Sequence, residues 1–327
     1  MDNGEDADGF AAEGERLAIV SNRIVSLMAS SSLPLISIIA VNYNNSTVTY
    51  EFLRSIREQN TYDNIEVIIV DNGSRDDPSA GCKAEYPDVK MVLTGKNLGF
   101  AGGNNAGIAV ARGEFYFMVN NDTEFTPGLL EGLLAVFRMH PDAGIVCPKF
   151  HYFFQKGTIE YAGYRAMNIF TGRNGMIGSK EKDEGQYDVL QETHFAHGGA
   201  MLVPRDVVEK VGKMYEPFFL YYEELDWSAQ MKKKGYKIYY QPASLIYHKE
   251  SMTTGKESPL KTYYLTRNRM LFMRRNAPWS SFLVFTGFFL FLTIPKNTLV
   301  YLVKGQRTHL GSFWKGVLAG FRRPKII

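Results

Sequence analysis

Cysteine is nearly absent from this 327-residue chain: Cys82 and Cys147 are the only two. Two thiols without a CxxC spacing make neither a disulfide framework nor a zinc site. A reducing, cytoplasmic setting is therefore the expectation, with both thiols structural. The phosphate-binding fingerprints GxGxxG and Walker A are missing too, so dehydrogenase and P-loop ATPase chemistry lack support. A signal peptide is also missing. The first residues are acidic (Asp2, Glu5, Asp6, Asp8), and the apolar positions Leu17, Val20, Ile24 and Leu27 are interrupted by Ser21, Asn22 and Arg23. Residues 1–33 read as a lead that is either disordered or a short docking helix, closed by a Ser-rich linker at 30–32. Internal repeats are not visible, and no nucleic-acid-binding module is recognised.

What is present is a large apolar fraction, 45%, enough for a sizeable core. The net charge of +3 hides an asymmetry. From residue 256 onward there are 13 Lys and Arg against the single acid Glu257, a net of +12, which leaves −9 for the rest. Basic tails of this kind meet phosphates. Within it, Trp279 to Pro295 is a 17-residue run without charge, interrupted by Lys296 and Asn297 and resumed from Thr298 to Val303. Seventeen residues is the lower limit for a membrane span, so an interfacial or re-entrant helix is favoured over a span. A core helix or an oligomer contact is the competing reading of the same run.

The first half alternates between two periods. Leu35–Val41, Ile65–Val70, Val89–Leu93 and Phe115–Val119 are apolar, β-branched runs that read as buried strands. Helical spacing covers Thr47–Glu58, Phe100–Arg112 and Pro127–Met139. The expected fold class is α/β: a doubly wound, mostly parallel sheet, which binds ligands beyond the carboxyl ends of its strands. Three polar clusters occupy those ends: Asn42-Tyr43-Asn44, Asp71-Asn72-Gly73-Ser74 and Asn120-Asn121-Asp122. One polar strand end is an ordinary turn; three converging on one edge are a site. The expected division is an α/β half at 34–150, a second half at 151–255 that holds the acidic-aromatic cluster, and a membrane-associating segment at 256–327.

Several side chains have both a chemical and a bland reading. Asp71 can accept from the imide N–H of a uracil or thymine ring, or stabilise an Asx-turn. Asp122, at a strand end, can bind a divalent cation that bridges a nucleotide diphosphate, but needs a second ligand; His248 ends a later strand and is the candidate, although a lone His is more often structural. Glu223, Glu224 and Asp226 crowd a helix start after the aromatic run 218–222. The helix dipole accounts for one or two acids there. Three beside so many apolar groups suggest a desolvated carboxylate with a raised pKa, suited to general-base work.

The order VNYN (41–44), VDNGS (70–74), KNLGFAGGNN (96–105), NND (120–122), HGGAML (197–202), FFLYYEELDW (218–227) and His248 resembles family 2 glycosyltransferases, nearest to the bacterial rhamnosyltransferase-like members. The likeness runs from about Leu35 to Arg275. It implies a GT-A fold with an acceptor-side subdomain, and inverting transfer from a UDP- or dTDP-sugar to a glycan or lipid-linked glycan. It assigns Asn42, Tyr43, Asn44, Asp71, Asn97, Asn104 and Asn121 to the donor. Asp122 and His248 become ligands of Mg²⁺ or Mn²⁺, and Glu224 the base, with Glu223 the runner-up and Asp226 beside them. Asn120 and Asn121 stand where the family usually carries acids, which weakens the metal motif. His197, Gly198, Gly199 and Trp227 are expected on the acceptor side, the glycines for close backbone approach and the indole for stacking. The implied setting is cell-surface polysaccharide synthesis on the cytoplasmic face of the membrane, with no nucleic acid and with an oligomer allowed. The rival is a non-catalytic glycan-binding or scaffold subunit, which would tolerate loss of both Glu223 and Glu224.

Overall fold

The structure, a computed structural model, describes residues 33–249 and 258–322. The expected lead at 1–33 lies almost wholly outside the described residues. Strands β1 (Ile36–Asn42), β2 (Ile65–Asp71) and β4 (Phe115–Val119) are almost fully buried, as their unbroken apolar runs require, and pair in parallel with β1 in the middle. β3 (Lys90–Leu93) extends this half at the edge. Helices α1 (Ser46–Gln59), α2 (Ser79–Glu85) and α3 (Gly99–Val110) connect it.

Beyond β4 come β5 (Thr123–Glu124), α4 (Leu129–Met139), β6 (Ala143–Tyr152), β7 (Ile159–Tyr161), β8 (Gln191–Glu192), β9 (Ala200–Pro204), α5 (Arg205–Val211), α6 (Glu223–Lys233) and β10 (Lys237–His248). The sheet order is β3-β2-β1-β4-β9-β6-β10-β5. It is mixed: β9 lies antiparallel between β4 and β6, while β6 and β10 run parallel. β10 takes in two stretches that the sequence reads as separate short strands. Its register against β6 shifts between Gln241 and Leu245, a bulge that hides the continuity. The carboxyl ends of β1, β2 and β4 and the end of β10 bring the polar clusters and His248 toward one edge.

The C-terminal part is helical: α7 (Pro259–Asn276), α8 (Trp279–Val303) and α9 (Arg307–Phe321). The interruption expected at Lys296 does not occur. α8 continues through it, with a π-turn at Phe289–Thr293 just before Pro295. A proline ring clashes with the carbonyl four residues back and offers no N–H, and a widened turn relieves both faults without ending the helix. α9 packs tightly on α7 because Gly316 has no side chain; a Cβ there would lie 2.7 Å from the Tyr263 carbonyl oxygen. These helices are not a loose tail. Met270, Phe272, Phe285, Phe289 and Phe313 share a buried cluster with Phe218, Tyr222 and Leu225 from the aromatic stretch ahead of α6 and its first turn.

Candidate active site

The strand ends on the donor side are knitted together by their own side chains. The Asn42 amide donates to Asp71 Oδ1 at 2.8 Å and to Ser74 Oγ at 3.1 Å, and its Oδ1 accepts from Thr49 Oγ1 at 2.9 Å. Asn121 donates to the same Thr49 hydroxyl at 2.7 Å, so β1, β2 and the end of β4 are tied in one network. Asp71 Oδ2 accepts from the backbone N–H of Ser74 at 3.0 Å, which is the turn-stabilising role. Asn44 adopts φ 54° and accepts from Arg75 N. Tyr43 is exposed beside this network.

The glycine-rich segment docks here through Asn72. Its amide bridges Asn97 Oδ1 and the Gly99 carbonyl, and its Oδ1 accepts from Leu98 N. Asn97 in turn accepts from Gly99 N, and Asn104 donates back to the Phe100 carbonyl. Both side chains thus shape the loop. Gly73 sits at φ 77°, where a Cβ would lie 2.6 Å from the Lys96 backbone carbonyl carbon, so only glycine lets the two loops meet.

A cavity of about 820 Å³ opens at this edge. Its inner end carries Asn120, His197, Gly198, Gly199, Glu223, Glu224 and His248, together with Glu160, which the sequence offered no signal for. His248 Nε2 lies 3.2 Å from Asp122 Oδ1, and its Nδ1 faces both Glu160 oxygens at 2.9 Å. Burial works against charge on this imidazole, but the hydrogen bonds and charges of Asp122 and Glu160 outweigh it and push its pKa up to about 10. A carboxylate behind a histidine that faces another acid is how metal-ligating histidines are commonly oriented. Among the described residues no group of three or more His, Cys, Asp or Glu forms a closed metal site. An oxygen–nitrogen pair completed by diphosphate oxygens and water suits Mg²⁺ or Mn²⁺, which are held by few protein ligands plus substrate phosphates. The residues present therefore fit such a cation.

His197 is different. Burial and the neighbouring His248 hold its pKa down at about 3, so it is neutral. Its Nδ1 accepts from Gly199 N at 3.0 Å, which puts the remaining ring proton on Nε2. Gly198 lies beside the Glu224 side chain: a Cβ built there would meet Glu224 Cγ at 3.5 Å, an ordinary contact.

Glu223 and Glu224 open α6. Tyr222, at the N-cap, has φ 77°, and Tyr221 and Phe219 are also left-handed, at 68° and 64°. Three aromatic residues in that region store strain. The strain aims the helix start into the cavity. Glu224 touches the cavity yet is otherwise enclosed by protein. Burial raises its pKa to about 7, against the lowering effect of backbone N–H groups at the helix start. Glu223 is 3% exposed, its Oε2 has no hydrogen-bond partner, and burial together with the Glu224 charge drives its pKa well above the usual range. Both shifts run in the same direction, toward a carboxyl group that takes up a proton more readily than an exposed glutamate.

Two expected site residues point elsewhere. Asp226 accepts from Arg275 Nε at 3.0 Å and from Asn276 Nδ2 at 2.6 Å, fastening α6 to the end of α7, and it does not line the cavity. Trp227 is buried in the core with its indole N–H on the Gly212 carbonyl, so it has no free face for a sugar.

A mixed α/β sheet of this order, with polar clusters at its parallel strand ends and Glu224 and His248 lining one cavity, is the arrangement of the GT-A glycosyltransferases. Residues 37–212 match the family model Glycosyl transferase family 2, and the chain belongs to that family. It is 25% identical over 266 residues to the N-acetylglucosaminyl-diphospho-decaprenol L-rhamnosyltransferase of Mycobacterium tuberculosis, covering 74% of this chain and 85% of that one. It spans 28% of an uncharacterized Sinorhizobium fredii protein, y4gI, at 25% identity. Among solved structures, the Pyrobaculum calidifontis mannosyltransferase PcManGT in complex with GDP-Man and Mn²⁺ is similar over 95% of both chains, with a TM-score of 0.56 and 14% identity. GalNAc-T7 with UDP, GalNAc and Mn²⁺ gives a TM-score of 0.61 at 14% identity, over 76% of this chain and 50% of that one. These two likenesses establish the fold.

Proposed function

We propose that this chain is an inverting hexosyltransferase. It moves rhamnose or a similar hexose from a UDP- or dTDP-sugar to a hydroxyl of a lipid-linked glycan at the cytoplasmic face of the membrane, in cell-surface polysaccharide synthesis. The observation that carries this reading is Glu224, a carboxylate with a pKa near 7 on the wall of the cavity that also contains His248. The relative acting on a diphospho-decaprenol substrate and the exposed apolar helix α8 support the lipid-linked acceptor.

In this reaction the acceptor hydroxyl gives its proton to Glu224. The oxygen bonds to the anomeric carbon from the face opposite the leaving group, and the C–O bond to the nucleotide diphosphate breaks with its electrons going to the diphosphate. Glu223 stays protonated beside the base, so a second negative charge does not oppose the first. Asp122 and His248 would hold Mg²⁺ or Mn²⁺, whose chemistry when bound is to neutralise charge on the departing diphosphate. Asn42, Asp71 and Tyr43 form the floor and cover for the base, and His197 to Gly199 give the acceptor sugar a backbone wall.

The decisive experiment is Glu224→Gln. The variant should bind the nucleotide-sugar donor as the parent does and transfer sugar at least about a hundredfold more slowly, the usual share of a general base. Parental turnover in that variant removes Glu224 from the mechanism.

A further inference from the structure

The outer end of the cavity is built from different material. Its wall is the 173–176 turn together with α7, α8 and α9, and the charged groups it contributes are cations: Arg173, Lys261, Arg269 and Lys304. Arg269 is 4% exposed, and its Nε is buried without a hydrogen-bond partner. Among the described residues no carboxylate pairs with it; its guanidinium lies 5.0 Å over the Phe289 ring. Burial holds its pKa down at about 10, and the nearby Arg173 acts in the same direction. Asn174 Nδ2, on the same wall, is likewise a buried donor without a partner.

Burying a guanidinium for which the described residues supply no counter-charge, with a second one lining the same cavity, is costly unless an anion completes the site. The unmet groups on this wall are donors only. Among the described residues lining the cavity, the one unmet acceptor is Glu223, beside Glu224. Planar guanidinium groups match phosphate oxygens in a bidentate way.

We propose that Arg173 and Arg269, with Asn174, bind the diphosphate of a lipid-linked acceptor. The order along the cavity supports this. Tyr222 separates the two ends: its hydroxyl donates to the Gly172 carbonyl at 2.9 Å, next to Arg173, and its chain continues directly into Glu223 and Glu224. A sugar attached to the diphosphate therefore extends toward the base. On the other side, Val300 and Tyr301 of α8 and Lys304 just after it line the cavity, while Leu299, Leu302 and Val303 of the same turns are exposed and apolar. A lipid chain leaving the diphosphate meets this apolar surface, which adjoins the cavity lining.

The identity of the acceptor rests on the proposed transfer reaction, but the test reads binding, so loss of the transfer reading does not decide it. Full-length protein in neutral detergent is titrated calorimetrically with farnesyl diphosphate, with farnesol, and separately with UDP plus Mn²⁺. Farnesyl diphosphate should bind at least about tenfold more tightly than farnesol, as charge-assisted hydrogen bonds to a phosphate imply. Arg173→Gln and Arg269→Lys should each weaken farnesyl diphosphate about tenfold and leave UDP–Mn²⁺ within twofold. Arg173 is exposed and its replacement does not disturb packing; Arg269→Lys keeps the charge and removes the fork. The proposal is overturned if both variants bind farnesyl diphosphate as the parent does. It is equally overturned if UDP–Mn²⁺ is weakened in parallel, which would assign the arginines to the donor. Displacement of farnesyl diphosphate by phosphatidylglycerol vesicles at equal phosphate concentration would assign them to membrane head groups and overturn it too.

Discussion

At the scale of single residues, the site depends on keeping a carboxylate uncomfortable. Burial raises the Glu224 pKa to about 7, above its unfolded value. For an acid raised in the folded state, the favourable contribution is complete below the unfolded pKa and is lost as pH rises through the folded one. Function needs the opposite form, so kcat/KM should rise with pH along a limb centred near 7 and fall about tenfold per pH unit below it. The sign gives a second expectation: at pH 8, Glu224→Gln, which removes the buried charge, should unfold about 2 °C or more above the parent while transferring no sugar at a useful rate, read by calorimetry and by product formation. A lower melting point would mean that the ionised carboxylate is already compensated and that burial is not what tunes it. Gly199 shows a different constraint. A Cβ there would stand 2.8 Å from His197 Nδ1 and 2.9 Å from Phe150 Cε1. Gly199→Ala should therefore cost about 1–3 kcal/mol in denaturant unfolding and reduce transfer, whereas Gly198→Ala, with its nearest neighbour at 3.5 Å, should be tolerated in stability.

How legible these residues are follows from how local their signal is. Asp71, Asp122 and Glu224 each end a strand or start a helix, and that placement is visible in the chain. Glu160 is a single acid in an aperiodic stretch, and only the crossing of β7 with β6 puts it behind His248. Asp226 was misread because an acid cluster looks like one group in sequence, while on a helix it lies about 200° from Glu224 and faces Arg275. Trp227 was misread because an aromatic near a sugar site and an aromatic in a core have the same spelling.

Among the elements, the loop before α6 is the one under strain, and α7 holds it. Asn268, fully buried, donates to the carbonyls of Phe218, Leu220 and Tyr221 at 2.9, 2.7 and 2.7 Å. Arg267 Nη2 adds the carbonyls of Pro217 and Phe218, both at 2.6 Å. Phe219 also stacks on Tyr264 at 5.2 Å between centroids, and its carbonyl accepts from Phe100 N, tying the same loop to the donor side. The left-handed backbone at Phe219, Tyr221 and Tyr222 persists because these contacts over-determine it. Asn268→Ala should release the loop, cost about 2–3 kcal/mol at roughly 1 kcal/mol per lost hydrogen bond, and lower kcat more than it raises the donor KM. Unchanged kcat with lowered stability would make the clamp a packing feature only. None of this was readable beforehand: a basic, period-poor stretch from 260 to 275 shows a helix, but not that its two polar residues reach back nearly fifty positions.

On the scale of the whole molecule, the parallel half of the sheet was legible because buried strands write themselves as unbroken β-branched runs, while the docking of α7 to α9 was not, because an apolar helix looks alike whether it faces a core or a bilayer. α8 does both. Phe285 and Phe289 are buried against α7, whereas Phe291, Leu299 and Leu302 are 78%, 62% and 58% exposed. The helix is 25 residues long, long and apolar enough to cross a membrane by length and composition, yet one face is committed to the protein and its far end lines the cavity. On the function proposed above, this division fits a helix lying in the interface with its apolar side in lipid and the basic segment around it on anionic head groups. Replacing Phe291, Leu299 and Leu302 together with Ser removes exposed apolar surface without touching the cavity lining. Each of these side chains contributes about 1.5–3 kcal/mol when fully buried, so partial burial of all three predicts at least about a hundredfold weaker partitioning into phosphatidylglycerol vesicles. High salt should weaken the parent further by screening the basic segment. Because the cavity is intact, the triple variant should still transfer sugar to a short-chain, water-soluble acceptor within about twofold of the parent, while losing activity on acceptor embedded in vesicles. If it sediments with vesicles as the parent does, α8 is not the membrane contact, and the route from lipid to Glu224 must enter by another face.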